Sequence, residues 1–338
     1  MTIQLNDKES RHKLFPFTLT RHTADTRVGI LTIREKWENL TGETISISNE
    51  DVFLNALKIN SNLIPSLENY KDLLNGNTTE TYSLDFPWQI FQYNDKAIRQ
   101  DFELLTRGRV SAPISNTNQC ISPSQVFIEE GASVEHSILN ASTGPIYIGK
   151  NATIMEGCLV RGPFALCEGA ALKMGARVYG ATTLGPYCVG GGEIKNSVLF
   201  GYSNKAHDGY LGDSVLGEWC NLGAGTSNSN VKNTAGEVKY NTGNGNYMGA
   251  GNKAGLLMGD YSRAAINTSF NTGTVVGVCC NIFGSGMPGK YVPDFSWGDG
   301  RYDFEKALKD ISNWKQMKGK TLTEAEKKLL YELYISTK

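Results

Sequence analysis

The chain has 338 residues, with 33 lysines and arginines against 34 acidic residues and a formal net charge of −1, so it lacks the basic excess expected of a nucleic-acid binder. No apolar run reaches the length of a membrane span, and the seven cysteines form no CxxC pair and no metal-like Cys/His spacing. With a start, Met1-Thr-Ile-Gln-Leu-Asn-Asp-Lys, that lacks a signal-peptide layout, these features predict a cytoplasmic protein with no nucleic-acid partner, no membrane and no metal site.

Residues 1–105 read as a small α/β unit. An apolar stretch through Leu14, Phe15 and Phe17 precedes Gly29-Ile-Leu-Thr-Ile. A helix is predicted over Arg34–Leu40, and Glu43-Thr-Ile-Ser-Ile-Ser reads as a strand. Ile90, Phe91, Ile98, Phe102 and Leu105 recur at roughly helical spacing, which predicts a connecting helix over Trp88–Leu105. Residues 106–119, with Arg107-Gly-Arg-Val-Ser-Ala-Pro, form a linker.

Residues 120–300 carry a different period. Ile148, Ile154, Val160, Leu166, Leu172, Val178 and Leu184 follow each other at an unbroken spacing of six. Small residues, such as Ala152, Cys158, Ala170 and Ala176, stand four positions after most of them. This is the hexapeptide signature of a parallel β-helix, with aliphatic side chains inward and small ones at the corners. In the three-sided version, residues eighteen apart stack about 4.8 Å from each other. Between Thr226 and Asn252 the chain turns polar and rich in glycine and asparagine, which predicts a protruding loop. The tail, residues 301–338, has a charged helical pattern suited to capping the solenoid.

Arg177, Lys195 and His207 share the outward phase of the six-residue register. At eighteen apart, Arg177 and Lys195 are expected one coil apart on the same side, where two stacked cations repel each other unless an anion such as a phosphate lies near. Two solvated surface charges are the competing reading. His207 falls near a neighbouring corner, and histidine suits proton removal near neutral pH.

The run Asn204-Lys-Ala-His-Asp-Gly-Tyr-Leu-Gly-Asp, followed by Asn221-Leu-Gly-Ala-Gly-Thr, resembles the acetyltransferase domain of the bifunctional bacterial enzymes that make UDP-N-acetylglucosamine. The spacing from His207 to Tyr210, Asn221 and Ala224 matches without a gap. Lys195 and Arg177 also fall where that family has its phosphate-binding lysine and arginine. The resemblance implies a left-handed parallel β-helix, a homotrimer, and acetyl-CoA as cosubstrate. It implies His207 as general base, with Glu193 as its supporting carboxylate and Asn230 close to the reacting centre. It also implies that Arg177, Lys195, Tyr210 and Asn221 bind the sugar phosphate, and that Ala224 offers backbone groups near the thioester. Corner packing for Tyr210, and a turn or asparagine ladder for Asn221, are the alternatives. The sequence departs from the family at Val231, where an aromatic is expected. The family's following lysine has no ungapped counterpart: Lys232 and Lys239 both fall near, and Lys239 is taken as its substitute.

Ser10-Arg-His-Lys-Leu-Phe-Pro-Phe-Thr resembles the Arg-Leu-x-Pro-Leu-Thr piece of sugar-phosphate nucleotidyltransferases. The stretch Leu14–Trp37 is closer still to a Bacteroidetes branch of UDP-N-acetylglucosamine-forming proteins. Trp88-Gln-Ile-Phe-Gln-Tyr-Asn-Asp, Ile138-Leu-Asn-Ala-Ser-Thr-Gly-Pro-Ile-Tyr-Ile-Gly and Phe270-Asn-Thr-Gly-Thr-Val-Val-Gly extend that resemblance over nearly the full length. The implied fold is mainly β: the β-helix with a reduced N-terminal nucleotidyltransferase-like α/β domain and a C-terminal capping helix. Nucleotidyl transfer needs a phosphate-cradling loop and a carboxylate pair holding magnesium. Leu5-Asn-Asp-Lys-Glu-Ser contains no glycine, so the loop is absent. Arg21, Arg27 and Lys36 are the remaining phosphate contacts, against a structural role for the whole domain; magnesium is expected only if that domain is active.

The expected activity is acetyl transfer from acetyl-CoA to the amine of a hexosamine 1-phosphate, glucosamine 1-phosphate above all. A sugar-1-phosphate nucleotidyltransferase and a non-catalytic β-helix scaffold are the alternatives. A β-helix carbonic anhydrase is excluded because it needs three zinc-binding histidines, and His207 is the only histidine after residue 136.

Overall fold

A computed structural model describes residues 3–48, 56–77 and 81–337. Its centre is a three-faced parallel β-helix. The first face has nine strands from Val126–Ile128 to Tyr291–Val292, and the second has ten from Ser133–Val134 to Gly300–Arg301. The third has six from Gln119–Ile121 to Tyr210–Gly212, and the pair Ser227–Asn228 and Ser269–Phe270 forms a separate two-stranded sheet. Every neighbouring pair along the faces is parallel except the last of the second face, Ser296–Trp297 with Gly300–Arg301. The seven aliphatics of the hexapeptide run point inward, none more than 2% exposed, and belong to one continuous core.

From Ile148 through Leu166 to Leu184 the stacking repeat is eighteen residues, as the period predicts. It then shortens. Arg177 stacks on Glu193 and Tyr179 on Lys195, so the expected stacking of Arg177 on Lys195 is corrected by two residues. The cause lies at the corner between the second and third faces. One coil earlier that corner is Lys173-Met-Gly-Ala, whereas here Gly191-Gly192 alone makes the turn. Gly192 has φ +66°, and a Cβ there would sit 2.7 Å from the carbonyl oxygen of His207. Only glycine permits so tight a corner beneath the next coil.

The front segment forms a three-stranded parallel sheet, with Ile3–Asn6 between Ser46–Ser48 and Leu57–Asn60. Its helix Ile33–Thr41 begins on a Thr32/Glu35 capping box and ends at Gly42 in the left-handed conformation. The helix predicted after Trp88 occurs as Gln89–Gln92 and Asn94–Thr106. These elements cover the first face: Phe17, Trp88 and Phe91 pack with Val198, Phe200, Val215 and Leu257, and Ile98 with Phe127, Tyr147 and Ala165.

One coil, from Val215 to its register partner Leu257, carries the polar insertion. Its hairpin, Lys239–Asn241 with Tyr247–Gly249, docks on the front segment, with Tyr240 fully buried and stacked on Trp88 at 5.5 Å. The C-terminal helices Phe304–Met317 and Glu324–Ser336 lie along the flank of the second face, packing on Trp219, Tyr261 and Phe295. On the third face, by contrast, outward residues such as Ile138, Leu159, Arg177 and Tyr179 are exposed. No helix among the described residues is long and apolar enough to cross a membrane.

Candidate functional site

The third face gathers polar side chains in two outward columns. Arg177, Glu193 and Tyr210 are successive register partners, and Tyr179, Lys195 and Gly212 form the neighbouring column. Strand alternation puts both columns outward, because Val178, Ile194 and Leu211 between them point into the core. Arg177 is exposed and Lys195 half-buried, and among the described residues neither has an ion-pair partner.

Carboxylates and amides next to these cations are already engaged. Tyr179 Oη donates to Glu193 Oε1 at 2.6 Å, which holds that carboxylate on the face and raises the phenol's pKa. The Tyr210 ring lies over Gly212, where a Cβ would come within 2.2 Å of its hydroxyl. Tyr210 Oη accepts from Asn230 Nδ2 at 3.1 Å. The same Nδ2 also reaches Asp213, which accepts a second amide bond from Asn196 at 2.6 Å. Burial, aided by the Asp213 charge, pushes the Tyr210 phenol well above its ordinary value. It stays protonated, and because its oxygen accepts from Asn230, its own hydrogen is free to donate elsewhere.

His207 stands on the four-residue corner Ala206–Gly209, directly above the tight Gly191–Gly192 turn. It is exposed, and its ring has no hydrogen-bond partner among the described residues. The corner above carries Ala224, also exposed; Gly225 N bonds Asp208 O at 2.9 Å and Asn267 N bonds Ala224 O at 2.7 Å, so the corners form one backbone-bonded edge.

The structure thus brings Arg177, Glu193, Lys195, Tyr210 and Asn230 onto one face, with His207 and Ala224 on the bordering corner. Asn221 lies around that corner on the second face. It accepts from Asn204 at 3.4 Å, and Asn204 in turn accepts from Lys318 at 3.0 Å, which is the asparagine-ladder arrangement. Lys239 is exposed on the docked hairpin, opposite Gly249 and outside the third-face strands. Tyr179, Asn196 and Asp213 were not singled out in the sequence. Tyr179 could have been, since it lies two residues beyond Arg177 on the same outward phase.

The front-domain cations have a different fate. Arg21 pairs with Asp260 and, at 3.4 Å, with Glu218, and lies over the Phe200 ring. Arg27 bonds the carbonyls of Phe200 and Ile30 and approaches Glu35 at 3.4 Å. Lys36 pairs with Asp101 in full burial. Arg21, Arg27 and Arg34 line a cavity of about 350 Å³ between the front domain, the β-helix and a C-terminal helix. The five carboxylates there are taken: Asp25 by Arg34, Glu35 by Arg27, Asp260 and Glu218 by Arg21, and Glu326 by Lys315. Magnesium needs oxygen ligands with charge to spare, and this set does not fit it.

A family model described as sugar nucleotidyl transferase matches residues 3–78. A bifunctional sugar-1-phosphate nucleotidylyltransferase/acetyltransferase from Sulfurisphaera tokodaii is 34% identical over 91 residues, 27% of this chain and 23% of that protein. The bifunctional protein GlmU of Methanocaldococcus jannaschii is 34% identical over 90 residues, 27% of this chain and 22% of its own. The GlmU of Gloeothece citriformis is 26% identical over 189 residues, 56% of this chain and 35% of that one. The chain therefore spans between about a fifth and a third of the length of these relatives. With a nucleotidyltransferase match in front and a hexapeptide β-helix behind it, the chain is similar, over these parts of its length, to GlmU-like bifunctional transferases.

Proposed function

We propose that the protein is a cytoplasmic N-acetyltransferase that moves acetyl from acetyl-CoA to the amine of a hexosamine 1-phosphate, glucosamine 1-phosphate above all, as a homotrimer. The observation that carries this reading is the juxtaposition of a free, exposed imidazole at His207 with the unpaired cations Arg177 and Lys195 on the adjoining face. Arg177 and Lys195 hold the sugar phosphate, and the free hydrogen of Tyr210 donates to the same ligand. Asn221, from the second-face ladder, and Lys239, from the docked hairpin, are assigned the remaining sugar-phosphate contacts, although neither stands on the third face.

His207 takes a proton from the substrate amine, which then attacks the thioester carbonyl carbon. Glu193, held by Tyr179, supports the imidazole, and Asn230 lies near the reacting carbon. The Ala224 amide donates to no acceptor among the described residues and is available to the developing oxyanion. The new C–N bond replaces the C–S bond, and the CoA sulfur leaves with a proton. The front domain serves as a packing and assembly element, supported by the pairing of Arg21, Arg27 and Lys36.

The test is thiol release from acetyl-CoA with glucosamine 1-phosphate. His207→Ala lowers the rate by about 100-fold or more, the contribution of a general base. An unchanged rate in the folded variant removes His207 from the mechanism. A wild type inactive on every hexosamine 1-phosphate leaves the scaffold reading.

A further inference from the structure

Lys205 occupies an inward position of the β-helix. It is the second residue of the strand Asn204–Lys205, stacked on Gly190, and it is 1% exposed. The coil below leaves little room for a side chain at Gly190, where a Cβ would sit 2.6 Å from Leu184 Cδ1 and 3.0 Å from Leu172 Cδ2. No carboxylate pairs with the Lys205 ammonium among the described residues. It donates instead to two main-chain carbonyls, Gly191 at 3.2 Å and His207 itself. Burial pushes this ammonium down to about 8. A charge in an aliphatic stack costs stability, and an apolar side chain would continue that stack without the cost. Folding alone therefore gives no reason for a lysine here.

The two acceptors supply one. Gly191 belongs to the two-residue corner, and His207 to the wider corner that overhangs it. No strand hydrogen bond holds the His207 carbonyl, because it lies between Asn204–Lys205 and Tyr210–Gly212. We propose that Lys205 is a positioning residue: from inside the β-helix it ties the carbonyls of Gly191 and His207 together and so fixes the corner from which the imidazole projects. The consequence for catalysis rests on the acetyltransferase reading, whereas the tie itself does not.

The experiment compares wild type with Lys205→Met, which keeps the length and loses the donor. Three quantities are read: stability to urea, amide hydrogen exchange at Glu193 and Gly225, whose N–H groups donate to the corner carbonyls of Gly209 and Asp208, and kcat and KM for acetyl transfer. Lys205→Met is expected to be at least as stable as wild type, to exchange roughly 10-fold faster at those two amides, and to lose roughly 10- to 100-fold in kcat with little change in KM for the sugar phosphate. Lys205→Gln, which keeps an N–H donor without charge, falls between the two and carries the same readouts should the methionine variant not fold. Unchanged exchange at those amides overturns the tie, and faster exchange with unchanged kcat overturns the positioning role. If wild type transfers no acetyl to any amino sugar, the acetyltransferase reading fails by itself and the exchange result alone decides the tie.

Discussion

The front domain and the β-helix use the same charged residue types to opposite ends. In the front domain, buried Lys36 meets Asp101, Arg27 meets Glu35, and Arg21 meets Asp260 of the β-helix. Among the described residues, Lys205 and Asp294 of the β-helix are buried with no ion-pair partner, and Nε and Nη2 of buried Arg263 have no hydrogen-bond partner. On the surface of the β-helix, Arg177 and Lys195 likewise have no ion-pair partner among the described residues. A matched charge in a core is spent on holding elements together. An unmatched one either costs stability or waits for a ligand, and which of these applies depends on exposure.

The largest effect that would break this contrast is expected at Lys36. Lys36→Ala strands the Asp101 carboxylate, whose other partners among the described residues are the amides of Ile30 and Leu31. A loss of about 3–5 kcal/mol in urea unfolding is expected. A loss below about 1 kcal/mol would mean that the pair is not what holds the helix Ile33–Thr41 to the helix Asn94–Thr106.

Asp294 tests the converse, a buried charge with no ion-pair partner among the described residues and only the more distant pull of Arg301. Burial raises its carboxyl to about 6, against an amide bond from Val278 that pulls it down. The native state then holds the proton more tightly than the unfolded chain, so stability is fully present below about pH 4 and falls as pH rises towards 6. Asp294→Asn keeps an acceptor for Val278 and removes the titration. It should gain about 3 kcal/mol over wild type at pH 7 and nothing near pH 3.5. Parallel stability curves for the two proteins between pH 4 and 7 would show that the carboxyl is not strained.

The legible parts of this molecule are those whose signal is local in the chain. The six-residue period announces the β-helix because inward aliphatics recur without a break from Ile148 to Leu184. The corner that carries His207 is legible because the run from Asn204 to Asp213 is contiguous. What the sequence hides is register. Gly191-Gly192 removes two residues from one corner, and a pattern of apolar positions does not record that loss, so Arg177 is displaced from Lys195 to Glu193. The bond from Tyr179 to Glu193 follows from the same shift and was hidden with it. In the front domain, Arg21 finds its carboxylate 239 residues away. No local pattern separates such a cation from one that awaits a phosphate.

Arg177 gives the smallest expected effect and the sharpest form of the contrast, because here the two uses of a cation predict opposite results. The side chain is exposed, it stacks on a carboxylate that Tyr179 already holds, and it has no ion-pair partner of its own among the described residues. Removing it leaves no buried charge stranded, so Arg177→Ala should change stability by less than about 0.5 kcal/mol. If the third face binds the sugar phosphate, a charge-assisted bond is lost, and KM for glucosamine 1-phosphate should rise roughly 10-fold while kcat moves little. Lys36→Ala is the mirror image, costing stability first. An Arg177→Ala variant that unfolds more easily yet keeps its KM would place Arg177 with the structural cations and leave the phosphate without a seat on this face.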